Sequence, residues 1–488
     1  PTTKGVLGIA TCDKGLPAMM MALAGTPDKP TIIMPGGVTL AVENGEDTAK
    51  IQSIGSRFAQ NEVTLEYAQD MGCKSCASPG GGCQFLGTAG TSQVVAESLG
   101  MTLPHAALTP SGTNLWIDTG RRSAIALKNL IDKNIKTKDI LTSKAFENAM
   151  IVHAACGGST NLILHLPAVA HAVKENIMKV EDWIRINKLT PRLVDVLPNG
   201  PKGFPTSVFF SSGGVPEVML KLRNEGLLNL DVITSTGLTL KENLDWWEQS
   251  EKRDFVRKQL RNTRNIDPED VVHSLKNSKK KNMTSTVTFP KGNISPEGSV
   301  VKSTAIDKTV IDDDGVYRKI GPARIFISEA DAIKAVKDKG ENGVKAGDIM
   351  VIVCGGPKGT GMQEVAQITI ALKYLSYGKE VALITDGRFS GVSTGACIGH
   401  IGPEALDGGP IGKLKENDLI EINIDTINLE GSINLIGEDG QNKGVKWGND
   451  ELGRRGLRSD LKPQDGLPED TVLWLSLIHI SEPTRPTP

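Results

Sequence analysis

The sequence predicts an α/β protein built as more than one domain. Its 488 residues exceed what one ordinary core accommodates. The first half alternates short apolar runs with Ala-, Leu- and Met-rich stretches of helical length, the pattern of a parallel βαβ unit. A basic, polar run at 276–282 (KNSKKKN) interrupts that pattern, and the residues after it return as short β-rich pieces.

Residues 6–11 read as a buried strand. A helix follows, with Pro17 near its start, Ala, Met and Leu through 18–24, and Gly25 at its end. Residues 31–34 form a second strand, closed by Pro35-Gly36-Gly37. Residues 147–155 and 162–173 read as helices on either side of a Gly157–Asn161 break. Further helices are expected at 216–223, with Pro216 at the first helical position, and at 246–261. The 276–282 run lacks aromatic residues, so it reads as a solvated linker rather than a nucleic-acid patch. Beyond it, strands are expected at 285–289, 300–302, 323–327, 348–354, 380–385 and 419–424, with a helix at 364–377 ending at Gly378. No repeat is evident at a period of about 20–50 residues.

Composition narrows the function. Lys plus Arg is 55 and Asp plus Glu is 57, a formal net charge of −2, so no global bias toward nucleic acid or anionic membrane exists. Aromatic residues are only 4%, which argues against base-stacking platforms, while 53 glycines imply many tight loops. No apolar run is long enough to span a membrane, and the first residues do not read as a signal peptide. Seven cysteines, an odd number, favour a reducing compartment, so a cytoplasmic location is expected. Residues 475–485 (LSLIHISEPTR) look like a translated sequencing-library adapter, and the native sequence is expected to stop near Trp474.

Three polar loops follow predicted strands: Cys12-Asp13-Lys14-Gly15, the run 355–364 (GGPKGTGMQE) and the run 386–391 (DGRFSG). Each is read as lying between a strand and a helix. Ligands of open α/β sheets gather outside the carboxyl ends of strands, so these loops are candidate walls of one site. The 355–361 stretch lacks the Gly-Lys-Ser/Thr ending of a nucleotide-binding loop. Cys73, Cys76 and Cys83 share a Gly-rich segment. Without a second Cys-x2-Cys or a His pair, zinc is disfavoured, and an iron–sulfur reading stays open. Cys156, Cys354 and Cys397 read as buried core thiols. His153, His165 and His171 read as packed or hydrogen-bonded rather than as metal ligands.

The motifs together resemble the bacterial dihydroxy-acid and 6-phosphogluconate dehydratase family, in its sugar-acid (D-xylonate) branch. The stretches concerned are CDKGLPAMMMALAG from Cys12, ASPGGGCQFLGTAGTSQVV from Ala77, NAMIVHAACGGSTNLILHLPAVAHA from Asn148, FPKGNISPEGSVVK from Phe289, GGPKGTGMQE from Gly355 and TDGRFSGVSTGACIGHIGPEALDGGPIGKL from Thr385. The likeness runs from about residue 5 to 474, and the combination is highly specific.

The resemblance implies a hydro-lyase that converts a sugar acid, D-xylonate first, to its 2-keto-3-deoxy acid. It implies a 2Fe–2S cluster, with 4Fe–4S as the alternative, held by three cysteines with one iron open to substrate. Cys12 and Cys83 match two of the ligands, and Cys76 is a substitute or neighbour. It implies Mg²⁺ held by Asp13, a carbamylated Lys14 and Glu364. Ser390 matches the proposed catalytic base, and Lys14 stands with it among the catalytic residues. A further cysteine and a further acid are expected upstream of this chain, so the chain is expected to be incomplete. The implied fold is a parallel-sheet α/β/α domain over 1–285, and a β-barrel-like domain over 286–474 carrying Glu364 and Ser390. A homodimer or homotetramer is implied. Alternatives within the class are the dihydroxy-acid dehydratase of branched-chain synthesis and 6-phosphogluconate dehydratase. An alternative of another class is an iron–sulfur electron carrier or sensor.

Overall fold

The computed structural model describes residues 3–40, 46, 48–74, 78–176, 178–391, 393–465 and 467. Cys76, the side chain of Cys73 and the 475–488 tail lie outside the described residues. The protein is α/β, as expected, and divides into two compact units. The first comprises Pro1–Gly55, Val63–Met178 and Arg185–Ser285. The second comprises Ser56–Glu62, Lys179–Ile184 and Thr286–Pro488. Among the described residues no helix is long and apolar enough to cross a membrane.

In the first unit, strand β1 (Val6–Ala10) pairs in parallel with β2 (Thr31–Pro35), Val6 opposite Thr31 and Ala10 opposite Pro35. The helix Gly15–Ala24 joins them. Every residue of β2 is buried, as its unbroken apolar run requires. The rest of the unit is helical. The helix Ser143–Cys156 ends at Gly157, whose φ of 66° only glycine adopts readily, and Leu162–Val173 follows the expected break. Pro216 is the third residue of the helix Gly214–Asn224, not the first.

Two expectations here fail for local reasons. The stretch 246–261 is two helices, Leu240–Glu248 and Glu251–Arg264. Ser250 starts the second by accepting the Arg253 N–H at 3.2 Å. The 276–282 run is not a loop: Leu275–Lys280 is helical, capped by Ser274, whose hydroxyl accepts the Asn277 N–H at 3.3 Å.

The helix Thr88–Ser98 is buried along its whole length. Its Glu97 carboxylate accepts the N–H groups of His105 (2.7 Å), Ala106 (3.1 Å) and Ala107 (2.8 Å). One turn earlier, Gln93 accepts the Leu108 N–H at 2.9 Å. His105 and Leu108 lie at φ of 60° and 64°, costly for residues with a Cβ, and these bonds hold them there. Burial pushes the Glu97 carboxyl up to about 7, against its three backbone donors and the charge of Lys252.

The second unit is organised around a nine-stranded mixed sheet. Its strands are β3 (Val287–Thr288), β4 (Gly298–Lys302), β5 (Val316–Phe326), β6 (Ile349–Ile352), β8 (Ala382–Thr385), β10 (Cys397–Gly402), β11 (Asp418–Asp425), β12 (Glu430–Glu438) and β13 (Gln441–Asn442). Two-residue strands β7 (Glu364–Val365) and β9 (Arg388–Phe389) form a separate parallel pair. The sheet order is β13-β12-β11-β5-β6-β8-β10-β4-β3, parallel through β5, β6, β8 and β10. The sheet curls. Lys291, just after β3 at one end, bridges to Ser432 of β12 near the other, through Lys291 N–H to Gly431 O (3.1 Å) and Ile433 N–H to Lys291 O (3.3 Å). Fully buried Ile349, Val351, Ile384, Ile398, Ile422 and Ile433 fill its core.

The helix expected at 364–377 is a correction. Glu364 and Val365 are taken by the pairing with Arg388 and Phe389, and the helix spans only Gln367–Lys373. The third polar loop is a correction too: it leads through β9 to β10, not to a helix.

Two measurements check these assignments. Folding raises the Glu97 pKa, so the native state holds that proton more tightly than the unfolded chain does. The stability Glu97 contributes is therefore complete below its unfolded value of about 4.5 and lost as pH rises through about 7. In denaturant titrations at about pH 5 and about pH 8, wild type should lose up to about 3 kcal/mol more than Glu97→Gln. Equal losses would contradict the burial argument. Ile384→Ala, at a fully buried position of β8, should cost about 2–5 kcal/mol in the same assay.

Candidate active site

In the first unit the thiol loop leaves β1 at Thr11. Cys12 sits in the left-handed region at φ 73°, and the helix starts three residues later at Gly15. Cys12 is exposed, with its Sγ 3.2 Å from Asp13 Oδ1. Burial and the neighbouring Asp13 push its thiol above the ordinary value. Partial burial opposes ionisation of Asp13, but the Lys14 ammonium and the Cys12 thiol outweigh it and hold the carboxyl below the usual range. Asp13 and Lys14 form a direct ion pair. As an ammonium Lys14 only donates, so ligation of a cation requires loss of that charge.

Cys83 is half-buried, and the Gln52 amide donates to its Sγ at 3.7 Å. The loop after β2 gathers the residues that precede Cys12 and Cys83. Gly36 N–H donates to Ala10 O at 2.7 Å, and a Cβ at Gly36 would lie 2.5 Å from Thr11 Cβ. Gly37, at φ 75°, leaves no room for a side chain: a Cβ would stand 2.0 Å from Thr109 O. Its carbonyl accepts from Gly82 N–H (2.7 Å) and from Thr11 Oγ1 (3.4 Å). Thr11 precedes Cys12 and Gly82 precedes Cys83, so one carbonyl gathers both thiol loops.

In the second unit the 355–364 and 386–391 loops are brought together by buried acids. Asp386 accepts the N–H groups of Cys354 (3.2 Å), Gly355 (2.8 Å) and Ala405 (2.9 Å). Its burial raises the carboxyl above the ordinary range despite these donors. Glu404 accepts the Lys358 N–H with both oxygens, at 2.9 and 3.1 Å, in the space a Cβ at Gly356 would need. The N–H groups of Gly355, Lys358, Gly359, Thr360, Gly361 and Met362 all have internal acceptors. Donors that a phosphate would need are thus already engaged, which counts against a phosphate cradle.

The same folding brings the segments that carry Glu364 and Ser390 into one short pairing. Glu364 stands opposite Arg388 in the β7–β9 pair, and Ser390 N–H donates to Val365 O at 3.1 Å. Buried Lys302 donates to Gly391 O at 2.9 Å, and Thr369 donates to Ser393 at 3.1 Å. The His400 backbone N–H donates to Gly387 O at 2.8 Å, and burial, then the charge of Arg388, push its imidazole down to about 3.

The structure thus gathers the loops that carry Cys12 and Cys83, and the segments that carry Glu364 and Ser390. Cys156, Cys354 and Cys397 are buried, as expected. His153 is buried with Nε2 2.8 Å from Ser159 O. Sequence reading missed Gln52, the Gly37 carbonyl and the clamping role of Asp386. Only the Gly36-Gly37 pair leaves a signal, and in sequence it marks no more than the end of a strand. Among the described residues no group of three or more His, Cys, Asp or Glu forms a ready metal cage. Two thiols on adjoining glycine loops, one accepting from an amide, nevertheless suit part of a thiolate-held iron–sulfur group.

Comparison with known proteins agrees with this architecture. The N-terminal domain pattern of dihydroxy-acid/6-phosphogluconate dehydratases matches residues 2–243, and the C-terminal pattern matches residues 270–457. D-xylonate dehydratase YagF of Escherichia coli (strain K12) is 57% identical over 481 residues, covering 99% of this chain and 73% of that protein. D-xylonate dehydratase YjhG of the same strain is 57% identical over 484 residues, with the same coverage. A dihydroxy-acid dehydratase of Dinoroseobacter shibae is 38% identical over 442 residues, covering 89% of this chain and 70% of that protein. The chain belongs to the dihydroxy-acid/6-phosphogluconate dehydratase family and is an enzyme of the hydro-lyase class.

Proposed function

We propose that this enzyme dehydrates a sugar acid, D-xylonate first, to its 2-keto-3-deoxy acid. The observation that carries the reading is the contrast in identity: 57% to two D-xylonate dehydratases over 99% of the chain, against 38% to a dihydroxy-acid dehydratase. In this reading Cys12 and Cys83 would hold an iron–sulfur cluster, 2Fe–2S in type, while Asp13 and a carbamylated Lys14 in the first unit, and Glu364 in the second, would each offer Mg²⁺ an oxygen ligand. When bound, these groups supply a Lewis acid for the departing C3 hydroxyl and positive charge for the substrate carboxylate and C2 oxygen.

The chain's own residues handle the proton. Ser390 Oγ, as its alkoxide, takes the C2 proton; the C3 hydroxyl leaves as hydroxide and takes that proton from Ser390 to become water, which restores the alkoxide, and the resulting enol tautomerises to the ketone. A serine hydroxyl is too weak a base unaided. Lys302, buried and bonded to Gly391 O, brings positive charge to the Ser390 turn and favours its alkoxide. The β7–β9 pairing fixes Ser390 relative to Glu364, so base and Mg²⁺ ligand keep one spacing. A cytoplasmic homodimer or homotetramer completes the proposal.

The test is to supply D-xylonate, 6-phosphogluconate and a branched 2,3-dihydroxy acid separately and measure 2-keto acid. D-xylonate should be consumed fastest, and turnover of the branched acid alone would sink the sugar-acid reading. Ser390→Ala should lower kcat by about 10²–10⁴-fold with little change in KM.

A further inference from the structure

We infer that Gln93 is a positioning residue that sets the separation of the Cys12 and Cys83 loops without touching either thiol. The inference rests on the reading of those two cysteines as one thiolate site. Gln93 is fully buried within a helix whose neighbouring residues Val94, Val95 and Ala96 are fully buried too. At such a position an apolar side chain packs without the desolvation cost of an amide, so the amide must serve its bonds. Both of its ends are engaged. Nε2 donates to Gly37 O at 2.8 Å, and Oε1 accepts the Leu108 N–H at 2.9 Å.

The two partners are not arbitrary. Gly37 O is the acceptor that also takes Gly82 N–H and the Thr11 hydroxyl, the residues preceding Cys83 and Cys12. Leu108 begins the segment that clasps the other side of the same loop: Val38 N–H donates to Thr109 O at 3.0 Å, and Ser111 N–H to Val38 O at 2.9 Å. Glu97, one turn along the helix, secures the residues 105–107 that lead into that segment. One carboxamide of fixed length therefore ties a rigid helix to both faces of the loop on which the thiol segments hang. Its loss frees Gly37 O to shift, and with it the Thr11 and Gly82 anchors.

The test uses Cd²⁺ alone as probe, since paired thiolates bind this soft ion and give an ultraviolet sulfur-to-metal absorption band. Cys12→Ser and Cys83→Ser define the part of the band that belongs to this pair. Gln93→Met and Gln93→Leu each remove both bonds while keeping an apolar side chain of similar size. Both variants should weaken the Cys12- and Cys83-dependent Cd²⁺ binding by about 10–100-fold while the thermal midpoint of the Cys12→Ser control is unchanged. Wild-type affinity in either folded variant would overturn the role of Gln93. A wild-type chain with no Cys12- and Cys83-dependent band would instead refute the paired-thiol site itself. If the variants do not fold, hydrogen exchange in the unaltered chain decides. The Gly82 and Leu108 amides should open together, and rates differing by more than about tenfold would overturn the inference.

Discussion

The Gly37 carbonyl oxygen is the point on which the first unit's chemistry turns. It accepts from the Gly82 N–H, the Thr11 hydroxyl and the Gln93 amide. Such crowding needs backbone at van der Waals contact, which is why Gly36, Gly37 and Gly81 have no space for a side chain. The thiols do not organise this region. They are carried on segments whose spacing is set one residue earlier, by groups with no redox or metal chemistry.

The second unit reaches the same end by different means. There, loops are drawn together by buried carboxylates that accept backbone N–H groups: Asp386 for Cys354, Gly355 and Ala405, and Glu404 for Lys358. Burying acids is costly, and the raised Asp386 carboxyl records that cost. In return the loops after β6 and β8 hold fixed positions, and the short β7–β9 pair sets Glu364 and Ser390 in register. Asp386, on a loop that reads in sequence as a wall of the site, is in the fold the internal tie of that loop.

Local pattern carried much of this. Strands β1 and β2, the helix between them, and the helices Ser143–Cys156 and Leu162–Val173 follow from apolar runs, Pro and Gly placement, all short-range signals. The buried thiols of Cys156, Cys354 and Cys397 followed from their apolar neighbours. What escaped depends on partners distant in sequence. Residues 364–365 have helical neighbours but pair with 388–389. Lysine-rich 276–280 reads as loop until the Ser274 cap is recognised. Gln52, Gln93 and Asp386 acquire roles only through groups some 15 to 56 residues away in the chain. The family motifs reach further at the site, because they mark residues by kinship rather than by local pattern.

The closure at Lys291 has a consequence for how this enzyme meets its neighbours. An open sheet presents unpaired backbone groups along its outer strand, a template for adding a strand from another molecule. Here β12 is covered on that side. Lys291 engages Gly431 and Ile433, and Asn293 donates to Leu435 O at 3.0 Å while accepting the Leu435 N–H at 2.7 Å. With that ladder occupied, subunits that assemble on this unit at β12 must do so through side-chain surfaces. Lys291 and Asn293 thus guard against runaway strand exchange, a duty separate from anything at the active site.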